Sequence, residues 1–280
     1  MHSTTISQAV RVLGVALATG LTLGLAGCYQ VPVTGRSAIN TVSDEAVNKM
    51  SREAFTQLKQ RHPVSRNRAL IEQVQRVGDR LAKVAFWDVP NADWEFVVFE
   101  VPNQINAFAM AGGKVGVFTG LFKIIENDDQ LASVLAHEIA HVAAKHVNER
   151  LSQDMVIQGG GVLVGGIMSS SGTGALTANA VLDAYGLSTG IGSISFDRKK
   201  EKEADHIGVM YMARAGFNPE EAIRVIERLE EATGGLAAPP ALLSTHPSHP
   251  ERLLQLIDLM PKALVAYLQG GTKSPPLIAR

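Results

Sequence analysis

The chain has 280 residues, of which 46% are hydrophobic and 19% charged, a globular composition and not a disordered one. Its formal net charge of -1 offers no basic field for nucleic acid. Cys28 is the only cysteine, which excludes an internal disulfide and a thiolate-rich structural zinc site, so a metal here relies on histidine and carboxylate.

In chain order, residues 1–27 read as a secretory signal peptide and not as part of the fold. Arg11 is the positive side chain, an apolar run follows over residues 12–27, and the run ends at Cys28. That run falls short of the roughly 20 apolar residues of a spanning helix. Leu25-Ala26-Gly27-Cys28 resembles the bacterial lipobox, which makes Cys28 the expected lipidation site and the first residue of the mature chain. Several acyl chains hold a protein firmly on a membrane where one does not. Tyr29, and not Asp, follows the cysteine, so the signal that retains lipoproteins in the inner membrane is missing. The expected location is therefore the outer membrane, with the body facing the periplasm.

Residues 28–42, with Pro32 and Gly35, read as a tether. The domain proper is expected over residues 43–262, with N-terminal helices over 43–84, a core over 85–262 and a tail over 263–280. Helices are expected at 43–62 and 68–84, the second with Leu70, Val74, Val77 and Leu81 on one stripe. The β-branched and aromatic run 94–101 predicts a strand, and 114–119 predicts a second, entered through Gly112-Gly113. Residues 127–151 predict one long helix. Asn127 is its N-cap, Asp128 and Asp129 favour its positive end, and Gln130 completes a capping-box pattern. Residues 158–195 are rich in Gly, Ser and Ala and read as close-packed helices with a loose connection, or as a gate over a site. A helix over 198–215 is stopped by Gly216, Asn218-Pro219 opens another, and Pro250 opens a last one ending near Met260. Helices dominate and strands are few, so the fold class is α+β with a mostly helical body and a small β-sheet.

The chemistry concentrates at His137-Glu138-Ile139-Ala140-His141, an HExxH pattern on a predicted helix. Four residues make a little more than one turn, so His137 and His141 project from one face and can share a metal. Glu138 lies about 100° round the helix and reaches a water activated by that metal, as a proton acceptor. A catalytic zinc takes a third protein ligand and keeps one position open. Val147 occupies the position where metzincins carry a third histidine, and His146 is off that spacing, at the surface or behind the ligands. Glu201 and Asp205 form an i,i+4 acidic pair on the helix after the Gly-rich stretch. One of them can bind the metal while the other orients a ligand histidine through its free N–H. Glu203 points to another face and is a weaker candidate.

These residues resemble a known family. HEIAH, then Asp197 to Asp205 (DRKKEKEAD), then Thr245-His246-Pro247, preceded by Asn106-Ala107-Phe108-Ala109 and Gly112-Gly113, are similar to the zinc metallopeptidase family of the CAAX prenyl proteases, HtpX, the Oma-type proteases and the BepA- and LoiP-type bacterial proteins. The similarity runs from about residue 94 to 259, and its layout is nearest the short LoiP-like lipoprotein members. The resemblance implies a zincin-like metallopeptidase domain with one zinc per chain, Glu201 as third ligand beside His137 and His141, and Asp205 behind them. It implies Glu138 as the catalytic base, and His246 as an added ligand closing the site or as a donor to the oxyanion. Arg198 is expected to be structural, and His249 a loop or cap residue. Asn106, Ala107, Phe108 and Ala109, as an exposed edge, would hold an extended substrate by strand addition. The implied function is hydrolysis of misfolded or misassembled cell-envelope proteins, with a periplasmic chaperone carrying a latent, gated site as the alternative. The departures are Asn127-Asp128-Asp129 for the commoner Asn-Glu-Asp and the lack of flanking transmembrane helices or a tetratricopeptide tail.

Overall fold

The computed structural model describes residues 28–154, 177–187, 195–232, 240–247 and 250–270. Strands β1 (Cys28–Gln30) and β2 (Ser37–Ile39) pair antiparallel as a hairpin. Helices α1 (Asp44–Arg61) and α2 (Arg68–Ala85) lead to β3 (Glu95–Phe99), β4 (Ala107–Met110) and β5 (Lys114–Phe118). A 3-10 turn at Thr119–Lys123 precedes α3 (Asp128–Ala143), and residues 146–154 form a further helix, α4. Then come α5 (Ala178–Ala184), α6 (Arg198–Arg214), α7 (Glu221–Glu231), α8 (Ala241–Thr245) and α9 (Pro250–Gln269). No described helix is long and apolar enough to cross a membrane.

The three-stranded sheet has the order β3-β5-β4, with β3 parallel and β4 antiparallel to the central β5. Its position next to α3 sets the site, because α3 packs on β4 on one side and on α6 on the other. Burial drives this arrangement: Leu131, Leu135, Ile139 and Ala143 of α3 meet Ile207 and Tyr211 of α6 in one apolar core. A second core under β4 is built from Phe55, Phe99, Phe108 and Phe118, whose ring centroids lie 5.9–6.2 Å apart.

Helix starts follow their capping residues. Asn127 accepts from the Gln130 N–H, and the Gln130 side chain returns to the Glu126 N–H, one residue before the position a capping box predicts. Asp197 caps α6 by accepting from Lys199 and Lys200 N–H groups.

Three expectations are corrected. Residues 28–42 are no free tether: the hairpin packs on the body with Val31 and Ala38 buried. The helix expected over 127–151 breaks after Ala143, where Lys145 takes a left-handed φ of 54°. That conformation costs about 1–2 kcal/mol for a residue with a Cβ. It is offset by Lys145 Nζ, which bonds Asp44 Oδ2 at 2.5 Å and sits 4.1 Å over the Tyr29 ring. The last helix does not end near Met260 but runs through Pro261 to Gln269, so residues 263–269 are helix and not tail. Burial of Met260 and Ala263, with Leu264 and Tyr267 against the core, holds the helix across the proline. The 158–195 stretch lies mostly outside the described residues, apart from α5 and the segments beside it.

Gly208 sets the α3–α6 spacing at the site. A Cβ placed there would lie 3.0 Å from the His137 backbone N and 3.1 Å from its Cα. Gly208→Val is expected to push the helices apart and to cost about 1–3 kcal/mol, read by urea unfolding. An unchanged unfolding midpoint would show that the crossing is not close-packed.

Candidate active site

His137 and His141 project from α3, Glu201 from the first turn of α6, and His246 from the end of α8. The possible ligand atoms of these four residues all lie within 4.8 Å of one another. His137 Nε2 is 3.1 Å from His141 Nε2, and both face Glu201, at 3.4 and 3.5 Å from its two oxygens. His246 Nδ1 lies 3.0 Å from Glu201 Oε1 and 3.3 Å from His137 Nε2. Glu138 is buried beside them, with Oε1 3.5 Å from His246 Nε2 and without a hydrogen bond.

Behind the cluster, Asp205 Oδ1 lies 2.9 Å from His137 Nδ1. Arg252 grips Asp205 through two bonds, Nε to Oδ2 at 2.7 Å and Nη2 to Oδ1 at 2.8 Å. Its Nη1 donates to Pro247 O at 3.1 Å and approaches Glu201 Oε2 at 3.0 Å. The latter contact is an ion pair without hydrogen-bond alignment, which leaves Oε2 free for another positive partner.

Electrostatics explain why such a crowded buried set is tolerated. Burial opposes charge on His137, but Asp205 and Glu201 outweigh it and raise its pKa to about 10. His141 faces no comparable compensation, and burial pushes it well below the usual imidazole value. Burial raises Glu138, which moves a carboxylate toward the range of a working base. Glu201 resists burial and stays well below the usual carboxylate range through His246 and His137. An anionic carboxylate with an unbonded oxygen, facing three imidazoles, calls for a cation at its focus. Three nitrogens and a carboxylate oxygen form a donor set that a divalent metal accepts, so the residues fit one.

The structure thus brings His137, Glu138, His141, Glu201 and His246 together, with Asp205 directly behind. Arg198 is exposed in the first turn of α6, His249 lies outside the described residues, and so does the side chain of Cys28. The β4 residues Ala107, Phe108 and Ala109 form an edge strand, but not an exposed one: all three are buried. Tyr185, Leu187, Phe196 and Thr245 close over that edge, where Asn106 to Ala109 line a small cavity with Glu138, His141 and His246. His146 is fully buried, not at the surface: the break at Lys145 swings it back to 2.9 Å from His141 Nδ1.

Arg252 and Phe196 escape a reading of motifs. Phe196 lies against the His141 ring with centroids 4.3 Å apart. The available signal for Arg252 was an arginine in the first turn of a helix, at the end whose dipole disfavours it.

Comparison with known proteins agrees with this geometry. Residues 68–259 match the description "Peptidase family M48". The chain is 31% identical over 263 residues to the mitochondrial metalloendopeptidase OMA1 of Schizosaccharomyces pombe, covering 91% of this chain and 73% of that one. It is 33% identical to OMA1 of Saccharomyces cerevisiae, covering 78% of this chain and 62% of the relative. It is 32% identical to the beta-barrel assembly-enhancing protease of Escherichia coli, covering 80% of this chain but only 45% of the relative. The chain therefore spans less than two thirds of the second and third of these proteins. With the match extending over both the HExxH helix and the Glu201 helix, the chain belongs to peptidase family M48, a metalloendopeptidase family.

Proposed function

We propose that this protein is a zinc-dependent endopeptidase that cuts unfolded or misassembled cell-envelope proteins, anchored by lipid on Cys28 to the outer membrane and facing the periplasm. The observation that carries the hydrolytic reading is the convergence of His137, His141 and Glu201 beside a buried Glu138 whose Oε1 has no hydrogen bond among the described residues. Those three residues would hold the zinc, which when bound supplies Lewis acidity to a carbonyl and acidifies a water molecule. Glu138 takes the proton from the attacking water and returns it to the leaving amine. Asp205, with Oδ1 2.9 Å from His137 Nδ1, pairs with that side of the ring and holds its Nε2 toward the metal position.

The covered edge of β4 supports recognition of backbone. Phe118 N–H donates to Asn106 O, so pairs alternate such that Ala107 and Ala109 turn their own N–H and C=O groups away from β5. An extended peptide pairing there would be read by its backbone and not by its sequence, which suits unfolded chains. The test is hydrolysis of casein by the full chain in detergent. Cleavage is expected to stop on chelation and return with zinc, while activity that survives complete metal removal would end this reading.

A gated form of the same enzyme, with chaperone action in its closed state, is favoured by His246. Its Nδ1 occupies the fourth place of the ligand cluster, the place a catalytic zinc keeps open. His246→Ala is therefore expected to raise casein turnover several-fold. A loss of turnover would instead make His246 a direct participant in the reaction.

A further inference from the structure

An unbroken chain of polar contacts joins the N-terminal hairpin to the ligand cluster, and the hydrolytic reading makes no use of it. His141 directs Nε2 into the cluster and turns Nδ1 away, 2.9 Å from His146 Nδ1. The other nitrogen of His146, Nε2, lies 3.1 Å from Glu203 Oε2. Arg36 Nε donates to that same oxygen at 2.7 Å, and Thr34 Oγ1 donates to Oε1 at 2.5 Å. Arg36 also forks onto Glu149 through Nη1 and Nη2 at 3.2 and 3.0 Å. Thr34 lies in the hairpin turn and Arg36 immediately before β2.

Proton counting gives this chain one direction. Ionised Glu203 only accepts, so His146 carries its proton on Nε2 and leaves Nδ1 as an acceptor. His141 offers the lone pair of Nε2 to the cluster, so its proton sits on Nδ1 and is donated to His146. Each link fixes the next: a neutral His146 protonated instead on Nδ1 would meet the Nδ1–H of His141 head-on and leave Glu203 without a donor from the ring.

We infer that the hairpin is a working part of the metal centre: Arg36 and Thr34 hold Glu203, and Glu203 sets the tautomer of His146. His146 in turn locks His141 in the orientation that presents Nε2 to the metal. Arg36, Glu203 and His146 are positioning residues. The inference rests on the reading of His141 as a metal ligand. A ligand histidine ordinarily hands its second N–H straight to a carboxylate or carbonyl, and loss of such a partner weakens metal binding about 10- to 100-fold. Here an imidazole is interposed, which carries the control out to the segment that follows Cys28. A hairpin that only staples the fold would change stability and leave metal affinity alone.

The experiment measures zinc affinity of the full chain in detergent by competition with a chelating indicator, and the visible spectrum of the cobalt-substituted form. Arg36→Ala is expected to raise the zinc Kd about tenfold and Glu203→Ala about 10- to 100-fold, each with altered cobalt bands. Arg36→Lys should restore part of the affinity. The Arg36 side chain is 35% exposed, which favours a folded Arg36→Ala variant. Folded variants with the wild-type Kd and cobalt spectrum would overturn the inference while leaving the hydrolytic reading intact. A wild-type chain that binds no zinc would overturn both. Independently of any variant, nitrogen-15 imidazole spectra of the zinc-loaded wild type should show His146 protonated on Nε2, and an Nδ1–H form would refute the relay.

Discussion

Glu138→Gln is expected to lower kcat for casein by about 10²- to 10⁴-fold while zinc stays bound one per chain. The amide is close in size to the carboxylate but cannot take a proton from water, so the change removes one chemical function and little else. Glu138 stands outside the four residues whose donor atoms converge, which is why metal binding should survive. Burial raises its pKa, and a carboxylate lifted in this way is a stronger base than a solvated one. His246 Nε2, 3.5 Å from Glu138 Oε1, is placed to steady the proton between transfer steps. The measurement is steady-state cleavage alongside zinc determination on the same sample. A variant with full zinc and turnover within tenfold of wild type would remove Glu138 from the reaction.

The HExxH helix was legible because its content is local: an i,i+4 pair shares a face in any α-helix, whatever surrounds it. Asn127 as N-cap was readable for the same reason. The break at Lys145 was not, since no glycine or proline marks it, and its left-handed backbone is held by Asp44 and Tyr29, both about a hundred positions away. That one unread residue also decides between the two places the sequence left open for His146, the surface or behind the ligands, in favour of the second. Residues 28–42 looked like a tether because Pro32 and Gly35 signal a turn, while the strands beside it are only three residues each. Their order comes from partners far along the chain, Arg36 on Glu203 and Glu149 above all. Glu203 was set aside because a helix wheel turns it from Glu201, which is correct and yet leaves it in contact with the other side of the same site. Proximity to the metal position is a tertiary property, and a second ring of residues around it seldom lies on one helix face.

Arg252 carries the second large effect, because it is the permanent cation that two buried carboxylates share. Its side chain is 8% exposed, and those of Asp205 and Glu201 are 6% and 0%. Removing one member of a buried ionic set leaves the others uncompensated, at about 3–5 kcal/mol. Arg252→Met keeps the apolar bulk but leaves Asp205 with His137 as its remaining partner, loses the bond to Pro247 O, and frees the segment that carries His246. The loss should be greatest in the metal-free protein, since a bound divalent cation supplies Glu201 with a positive partner and leaves only Asp205 exposed to the deficit. Arg252→Lys should fall between wild type and Arg252→Met, because an ammonium restores the charge but cannot reproduce the two-point grip on Asp205. Urea unfolding of the three proteins, each with and without zinc, reads all of this directly. If Arg252→Met costs less than about 1 kcal/mol without metal, water must reach the pair and the site is wetter than its burial implies. If the cost is equal with and without zinc, the metal does not take over the charge of Glu201, and Glu201 is not a ligand.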